Sequence, residues 1–508
     1  MDRRGQGEQR QGRFIRRRWG RGSSRRWTSE DPWNRYNGAE SSFRSRERTA
    51  SSTSSTSSSS SSSGATSDVP ELPGFYFDRE KNRYFRLLPG HNNCNPLTKE
   101  QLQAKEREKK RSMMLLEDNK LRKKAPRPGC NSTLLHKQTQ LGLVSEKYFC
   151  RRIHEVRAST MRRHKLNLQT SDHSSPDKDN FRFIMADSKC EQIFTVNDSS
   201  HGGCKYGLMK LGASQSSLSL ERCDSFYFTN HTVNSTCWAS INYTDSHVLL
   251  CLVGAADTLG CVSLLPASLF WSSHTQVPGR LRSLKICSAW SCAWCNNPFM
   301  SNTVSIGLSR KVILKNAVSG ETCTFKVNTD VLTQQFALHE PLLYNGCRSG
   351  EIFSIDLRLR GSRRENWKAS SFHQESAITS VRVLEDENYV MAADMLGQIK
   401  LWDVRKTKPV MEYAGHYNEH AHLPIHISEP EGLLLAVGQD CNTRIWSLKD
   451  ARLLRTIPSP HPVSNNLIPS IIFSSNLGGS RGLTGLLMAV ESDLYFYPYN
   501  SDEQDVSR

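Results

Sequence analysis

Three stretches of this chain end alike: "LLYNGCRSGEIFSIDLR" (342–358), "YVMAADMLGQIKLWDVR" (389–405) and "LLLAVGQDCNTRIWSLK" (433–449). Each holds two short apolar runs separated by a polar turn, the pattern of paired strands. Matched at Asp356, Asp403 and Ser447, they lie 47 and 44 residues apart, the period of a four-stranded propeller blade. Weaker copies occupy 181–196, 248–266 and 303–316, and a last strand pair falls within 483–499. Six copies and that pair predict seven blades between about 175 and 500.

The third copy also carries Gly415-His416 upstream and Asp440 six residues before Trp446, and so resembles a WD40 repeat. In that family a His, an Asp, a Trp and a hydroxyl form a hydrogen-bonded tetrad inside the blade, because buried polar groups must be paired. The resemblance implies a structural tetrad of His416, Asp440 and Trp446. Its hydroxyl member is not evident, Ser349 and Leu396 stand where other blades would need the Asp, and His373 alone hints at the His. The expected fold is all-β: a seven-bladed WD40 β-propeller preceded by a disordered basic tail and N-terminal helical elements.

The front of the chain differs in composition from the rest. Its first fifty residues hold fourteen Arg against six acids, and 51–63 is an unbroken Ser/Thr run. Residues 1–69 therefore have almost nothing to bury and are expected to be disordered. Two aromatic runs, Phe75 to Phe77 and Tyr84 to Leu88, flank the polar "DREKN" and predict a hairpin within 70–96 that needs a larger partner to pack on. The segment 97–128 predicts a helix of roughly 25 residues, with Thr98 as N-cap and Pro126 as its stop. Its apolar positions are too sparse for a coiled coil.

A net charge of +17 admits two readings besides simple solvation. "RFIRRRWGRGSSRRW" (13–27) interleaves Arg with Phe14, Trp19 and Trp27, which suits a nuclear import signal or RNA stacking. Import is preferred because no folded RNA-binding module follows, and nucleic acid is not an expected partner. No run of 18 apolar residues is present, so neither a membrane span nor a membrane partner is expected. Fifteen scattered Cys fit reduced thiols of the nucleus and cytoplasm better than a disulfide framework.

Few residues suggest chemistry. Cys292 and Cys295 form a lone C-x-x-C without a second pair, more in keeping with strand packing than with zinc. His416, His420, His422 and His426 cluster in "GHYNEHAHLPIH" without a carboxylate or Cys beside them. There is no phosphate-binding glycine loop, nucleophile elbow or carboxylate pair in a recognisable setting. Neither an enzyme nor a cofactor or metal is expected.

The remaining signal is Arg405. It lies two residues past Asp403, and Arg358 lies two past Asp356, so adjacent blades present Asp-x-Arg at the same point, the exit of the third strand. Each Arg could simply pair with its own Asp, but two in register point outward together. The box Trp402-Asp403-Val404-Arg405, with its variant Ile355-Asp356-Leu357-Arg358, resembles that of the WD-repeat substrate receptors of the cullin-four RING ubiquitin ligases. The resemblance implies that Trp402, Asp403, Arg405 and Arg358 belong to a contact with the β-propeller adaptor that bridges receptor to cullin. It also implies a short N-terminal helix for the adaptor's cleft. "NSTLLHKQTQLG" (131–142) is similar to that element, with Leu134, Leu135 and Leu141 on its apolar edge and Gly142 at its end. Residues 97–160 would then form a helical docking region.

On this reading the protein is a non-enzymatic substrate receptor that reaches the cullin-four scaffold indirectly and holds an unidentified target protein for ubiquitination. The alternative is a WD-repeat scaffold of a ribonucleoprotein complex that uses the Arg-rich tail for RNA.

Overall fold

Strands of mostly five to eight residues, rich in β-branched and aromatic side chains and broken by Gly, Asn, Asp and Ser, pair with their sequence neighbours into antiparallel meanders. Seven such sheets form in succession: 180–222, 232–285, 289–326, 331–373, 378–413, 425–457 and 470–498. The first six are complete within their own span. The seventh has only three strands there, and its fourth is His164–Leu166, paired antiparallel with Asp493–Pro498. A strand from before blade 1 thus completes blade 7, and the first strand of blade 7 packs against that of blade 1. The ring therefore starts at residue 164, ahead of the predicted 175, because a three-residue strand carries no periodicity to read.

The computed structural model describes residues 75–78, 83–86, 99–120, 132–169 and 179–499, apart from 200–201, 215–216, 223–225, 255–259, 272–281, 286–288, 359–366 and 463–467. The expected tail, 1–69, lies outside them. The hairpin pairs Phe75–Asp78 with Arg83–Arg86, placing Tyr76 opposite Phe85; its predicted extension to Leu88 falls outside the described residues. The first helix, α1, is Lys99–Asn119, shorter than expected; Thr98 and Pro126 are not among the described residues. Two more helices follow, α2 (Ser132–Gln140) and α3 (Glu146–Thr160). No helix among the described residues is long and apolar enough to cross a membrane.

The core lies between blades rather than at one centre. Leu434 and Trp446 of blade 6, for example, close on Met391, Ile399 and Tyr413 of blade 5. In a meander the first-to-second and third-to-fourth turns share one face, here the lower face. The second-to-third turns and the crossovers between blades share the upper face. Since α3 leads into the upward-running closing strand, it sits on the lower face, and its partners agree. Arg157 binds Glu431 in a first-to-second turn at 3.0 Å, and Glu155 accepts Arg452 from a third-to-fourth turn at 2.8 Å. The helix α1 spans the outside of the ring: Arg107 lies over Tyr417 and Arg111 donates to the Ser459 carbonyl, both on upper crossovers. Its far end meets Arg455 through Asp118 and Arg163 through Asn119.

Candidate functional site

Arg358 and Arg405 are held in the same way. Each third strand ends at its Asp, and the next residue donates its N–H to the blade's first-to-second turn: Leu357 to Pro341 O at 2.9 Å and Val404 to Asn388 O at 3.0 Å. The Asp Oδ1 then accepts the Arg backbone N–H, at 3.0 Å in both blades. The same carboxylate grips the side chain, with Nε and Nη2 of Arg405 at 3.1 and 3.2 Å and those of Arg358 at 3.0 and 2.9 Å. Hydrogen bonds from Arg405 hold the Asp403 carboxyl below its ordinary range, and Arg358 does the same to Asp356. The arginine side chains stay largely in solvent, Arg405 62% and Arg358 66% exposed. A planar fork fixed on one edge and open on the other is a pre-oriented donor set for a partner's carboxylates or carbonyls.

The other two residues of the predicted box are buried rather than presented at the surface. Trp402 is buried in the core between blades 4 and 5, with its ring 5.6 Å from Phe372. Asp403 is buried as well, and its part is to fix Arg405. The reason for the correction is that a propeller blade is covered on both faces: Leu401 packs toward blade 6 and Trp402 toward blade 4, so side chains within the strand are buried and only residues past its end reach the rim.

The predicted docking helix is present as α2. It ends in a Schellman turn, where Leu143 N–H bonds Gln138 O at 2.9 Å and Gly142 adopts φ +72°. Leu134 and Leu141 stand exposed, but Leu135 is buried and offers no contact surface; α2 itself packs on α3. Leu143, which sequence reasoning stopped short of at the glycine, is 72% exposed and extends the apolar edge. The helix α3 was not foreseen as a separate element, although "SEK" is a legible start. Ser145 caps it by accepting Tyr148 N–H at 3.3 Å. Ala158 and the following Met161 enter the core with Tyr497 and Tyr499, and Tyr499 OH is 2.8 Å from His154 Nδ1.

The lower turns are tied to one another around the ring. Asn297 of blade 3 donates to His339 O of blade 4 at 2.8 Å. Glu387 of blade 5 accepts the backbone N–H groups of His339 and Glu340, and Glu429 of blade 6 accepts that of Glu385. Glu431 carries the series on to Arg157 of α3. Arginine rim and helix therefore belong to one hydrogen-bonded rim.

The predicted tetrad is assembled differently. His416 lies edge-on to Trp446 at 6.4 Å, but Trp446 Nε1 donates to Ala414 O at 2.9 Å in place of a hydroxyl. Asp440 turns to Arg444, Nη1–Oδ1 3.0 Å and Nη2–Oδ2 2.6 Å, and to Asn442. His416 Nδ1 is buried without a hydrogen-bond partner among the described residues. A guanidinium four residues on, in the strand that follows the turn, outcompetes the imidazole because it is always charged and matches the carboxylate edge. The other histidines disperse: His420 meets Gln439, whereas His422 and His426 line a central channel of about 1130 Å³. Burial and nearby Arg382 push the His426 imidazole down to about 3. Cys292 and Cys295 are both buried in blade 3, and burial pushes the Cys295 thiol up to about 11. Among the described residues no three His, Cys, Asp or Glu side chains are grouped to hold a metal ion.

Comparison with known proteins matches residues 149–499 to the family model described as the DDB1- and CUL4-associated factor 4 β-propeller domain. DDB1- and CUL4-associated factor 4 of Homo sapiens is 56% identical over 438 residues, covering 86% of this chain and 88% of the relative. The Bos taurus protein of that name is 53% identical with the same coverage. DDB1- and CUL4-associated factor 4-like protein 2 of Homo sapiens is 48% identical over 76% of this chain and 98% of its own.

Proposed function

Because the chain belongs to the DDB1- and CUL4-associated factor 4 family, we propose that it is a substrate receptor of CUL4 ubiquitin ligases. It docks on the DDB1 adaptor with its lower face, reaches the CUL4 scaffold through that adaptor, and holds a target protein for ubiquitination. The observation that carries the docking mode is the pair of exposed arginine forks, identically mounted on blades 4 and 5, on the face that also bears α2. The receptor acts by proximity: it raises the effective concentration of target lysines near the charged ubiquitin carrier. Bond formation belongs to the partners, and this chain performs no chemistry of its own. The Arg-rich segment 13–27 suits nuclear import, so the nucleus and cytoplasm are the proposed compartments; a fluorescent fusion lacking residues 1–66 should lose its nuclear share. The ribonucleoprotein alternative gains no support from the relatives named above.

The test is binding of the full chain to purified DDB1, compared with R358A, R405A and the double variant. Interface arginines are frequent hot spots, so each single change should weaken binding roughly tenfold, and the pair should release the adaptor at micromolar concentrations. Melting temperatures should stay within about 2 °C, since exposed side chains carry little stability. Full retention of DDB1 by the folded double variant would remove the arginines from the interface.

A further inference from the structure

The mounting that presents Arg358 and Arg405 recurs on blade 3 with a different side chain. There Asn316 ends the third strand, Ala317 N–H bonds Asn302 O of the first-to-second turn at 2.7 Å, and Asn316 Oδ1 accepts Val318 N–H at 2.9 Å. Val318 thus occupies the position of the arginines, and it is 60% exposed. The row of equivalent rim positions reads Val318, Arg358, Arg405 across three successive blades.

Val318 is not isolated. Phe299, in the first-to-second turn of the same blade, is 83% exposed, and Leu338, in that turn of blade 4, is also exposed. Tyr243 and Trp271 repeat the pattern on the lower face of blade 2. On the upper face the turns of blades 2 to 4 carry Arg310 and the Arg348–Asp330 pair, and among the described residues the exposed large apolar side chain beside them is Phe228, on the crossover from blade 1 into blade 2. Scattered apolar residues on a surface need no explanation, but five on one face of three adjoining blades form a patch of the kind that marks an interface. Aromatic side chains of this size are also the residues that binding surfaces favour.

We propose that the docking surface for the adaptor continues from the arginine pair onto this apolar arc, with Val318, Phe299 and Leu338 as its next contacts and Tyr243 and Trp271 at its end. The inference rests on the docking mode proposed above. Continuity commits the arc to the same partner. Leu338 shares a turn with Glu340, whose carboxylate acts on Arg358, and Asn297 ties the Phe299 turn to the Leu338 turn, so the blade 3 and blade 4 part of the arc is joined to the arginine forks, and Tyr243 and Trp271 extend it on the adjoining blade. The adaptor surface that fits it presents an apolar ridge bordered by carboxylates. The division of labour follows from chemistry: charged contacts lose strength as salt rises, whereas apolar contacts do not.

The experiment measures affinity of the full chain for purified DDB1 at two salt concentrations. F299S/V318S should weaken binding at least tenfold by the same factor at both salts, with an unchanged melting temperature, whereas R358A/R405A should lose most at low salt. Y243S/L338S, on neighbouring turns, gives an independent second variant should the first unfold, and the same loss is expected. Affinities within twofold of wild type for a folded variant would overturn the arc as an adaptor contact. So would retained adaptor affinity combined with loss of a ubiquitinated target, which would give the arc to the target instead. Failure of the wild-type chain to bind DDB1 at all is the separate result that defeats the docking mode itself.

Discussion

Replacing Asp440 by Ala tests how the one WD40-like blade is fastened. The carboxylate sits in the second-to-third turn of blade 6, with side-chain exposures of 15% for itself and 12% for Arg444. It accepts two bonds from Arg444 and two from Asn442, its side-chain amide at 2.8 Å and its backbone N–H at 3.3 Å. Removing one member of a buried pair leaves the other charge without compensation, at a cost of about 3–5 kcal/mol. For a domain of this size that corresponds to a fall of roughly 6–10 °C in melting temperature. D440A/R444M should recover most of it, giving a coupling energy of about 2 kcal/mol or more.

The competing idea, that Asp440 serves His416, makes a different prediction: H416Q would then absorb the loss. Since Asp440 bonds Arg444 and Asn442, D440A should cost the same in the H416Q background. Denaturant melts at pH 7 measure all four corners of each cycle. A D440A loss below about 1 kcal/mol, or rescue by H416Q, would refute the assignment. Acidity gives a second check. Burial works to raise the Asp440 carboxyl, but the Arg444 fork and Asn442 bring it below its usual 3.8. Its contribution is therefore complete above the unfolded value and is lost as pH falls through the folded one, a loss D440A should no longer show.

Three further outcomes are expected. Burial and Arg444 push the His416 imidazole from 6.5 down to about 4, so the unfolded chain binds the proton first and wild-type stability declines as pH falls across that interval; H416Q should flatten the slope in acid melts. Deleting residues 1–66 should leave the melt unchanged, whereas deletion through residue 166 removes the closing strand and the Ala158 and Met161 contacts, so limited proteolysis should then cut blade 7 first. Changing Leu134, Leu141 and Leu143 together to Ser should weaken DDB1 binding by roughly tenfold or more without moving the melt, because all three are exposed.

Sequence reasoning reached the features that repeat. Blade period, the Asp-x-Arg pair and the α2 edge all rest on local spacing, and local spacing survives in a single sequence. What it missed depends on contacts between distant residues. The strand His164–Leu166 has meaning only beside Asp493–Pro498. Leu135 and Leu134 are neighbours of one type, and only tertiary packing decides which is hidden. Trp402 is grouped with the contact residues because it is part of a recognisable box, yet it lies inside a strand covered on both faces, while Arg405 lies in the turn beyond the strand's end. Asp440 was matched to His416 by a family pattern, while the arginine that holds it was four residues away in plain view.

The two anchors of the proposed docking mode occupy adjoining sectors of the lower face, and their fixed spacing has a physical use. The arginine forks belong to blades 4 and 5, whereas α2 stands on α3, which is fixed to blade 6 through Arg157–Glu431 and to blade 7 through Tyr499. Two anchors bind additively only if their spacing is set before the partner arrives; otherwise the ordering cost is charged at association. The carboxylate-to-amide bonds that run from Glu387 through Glu429 to the α3 pair set that spacing. None of these bonds touches an upper turn. Under the proposed docking mode the upper loops are free to vary without disturbing the lower rim, and a variant such as E387A, which cuts the series on the lower face, should weaken the adaptor contact while leaving both arginines in place.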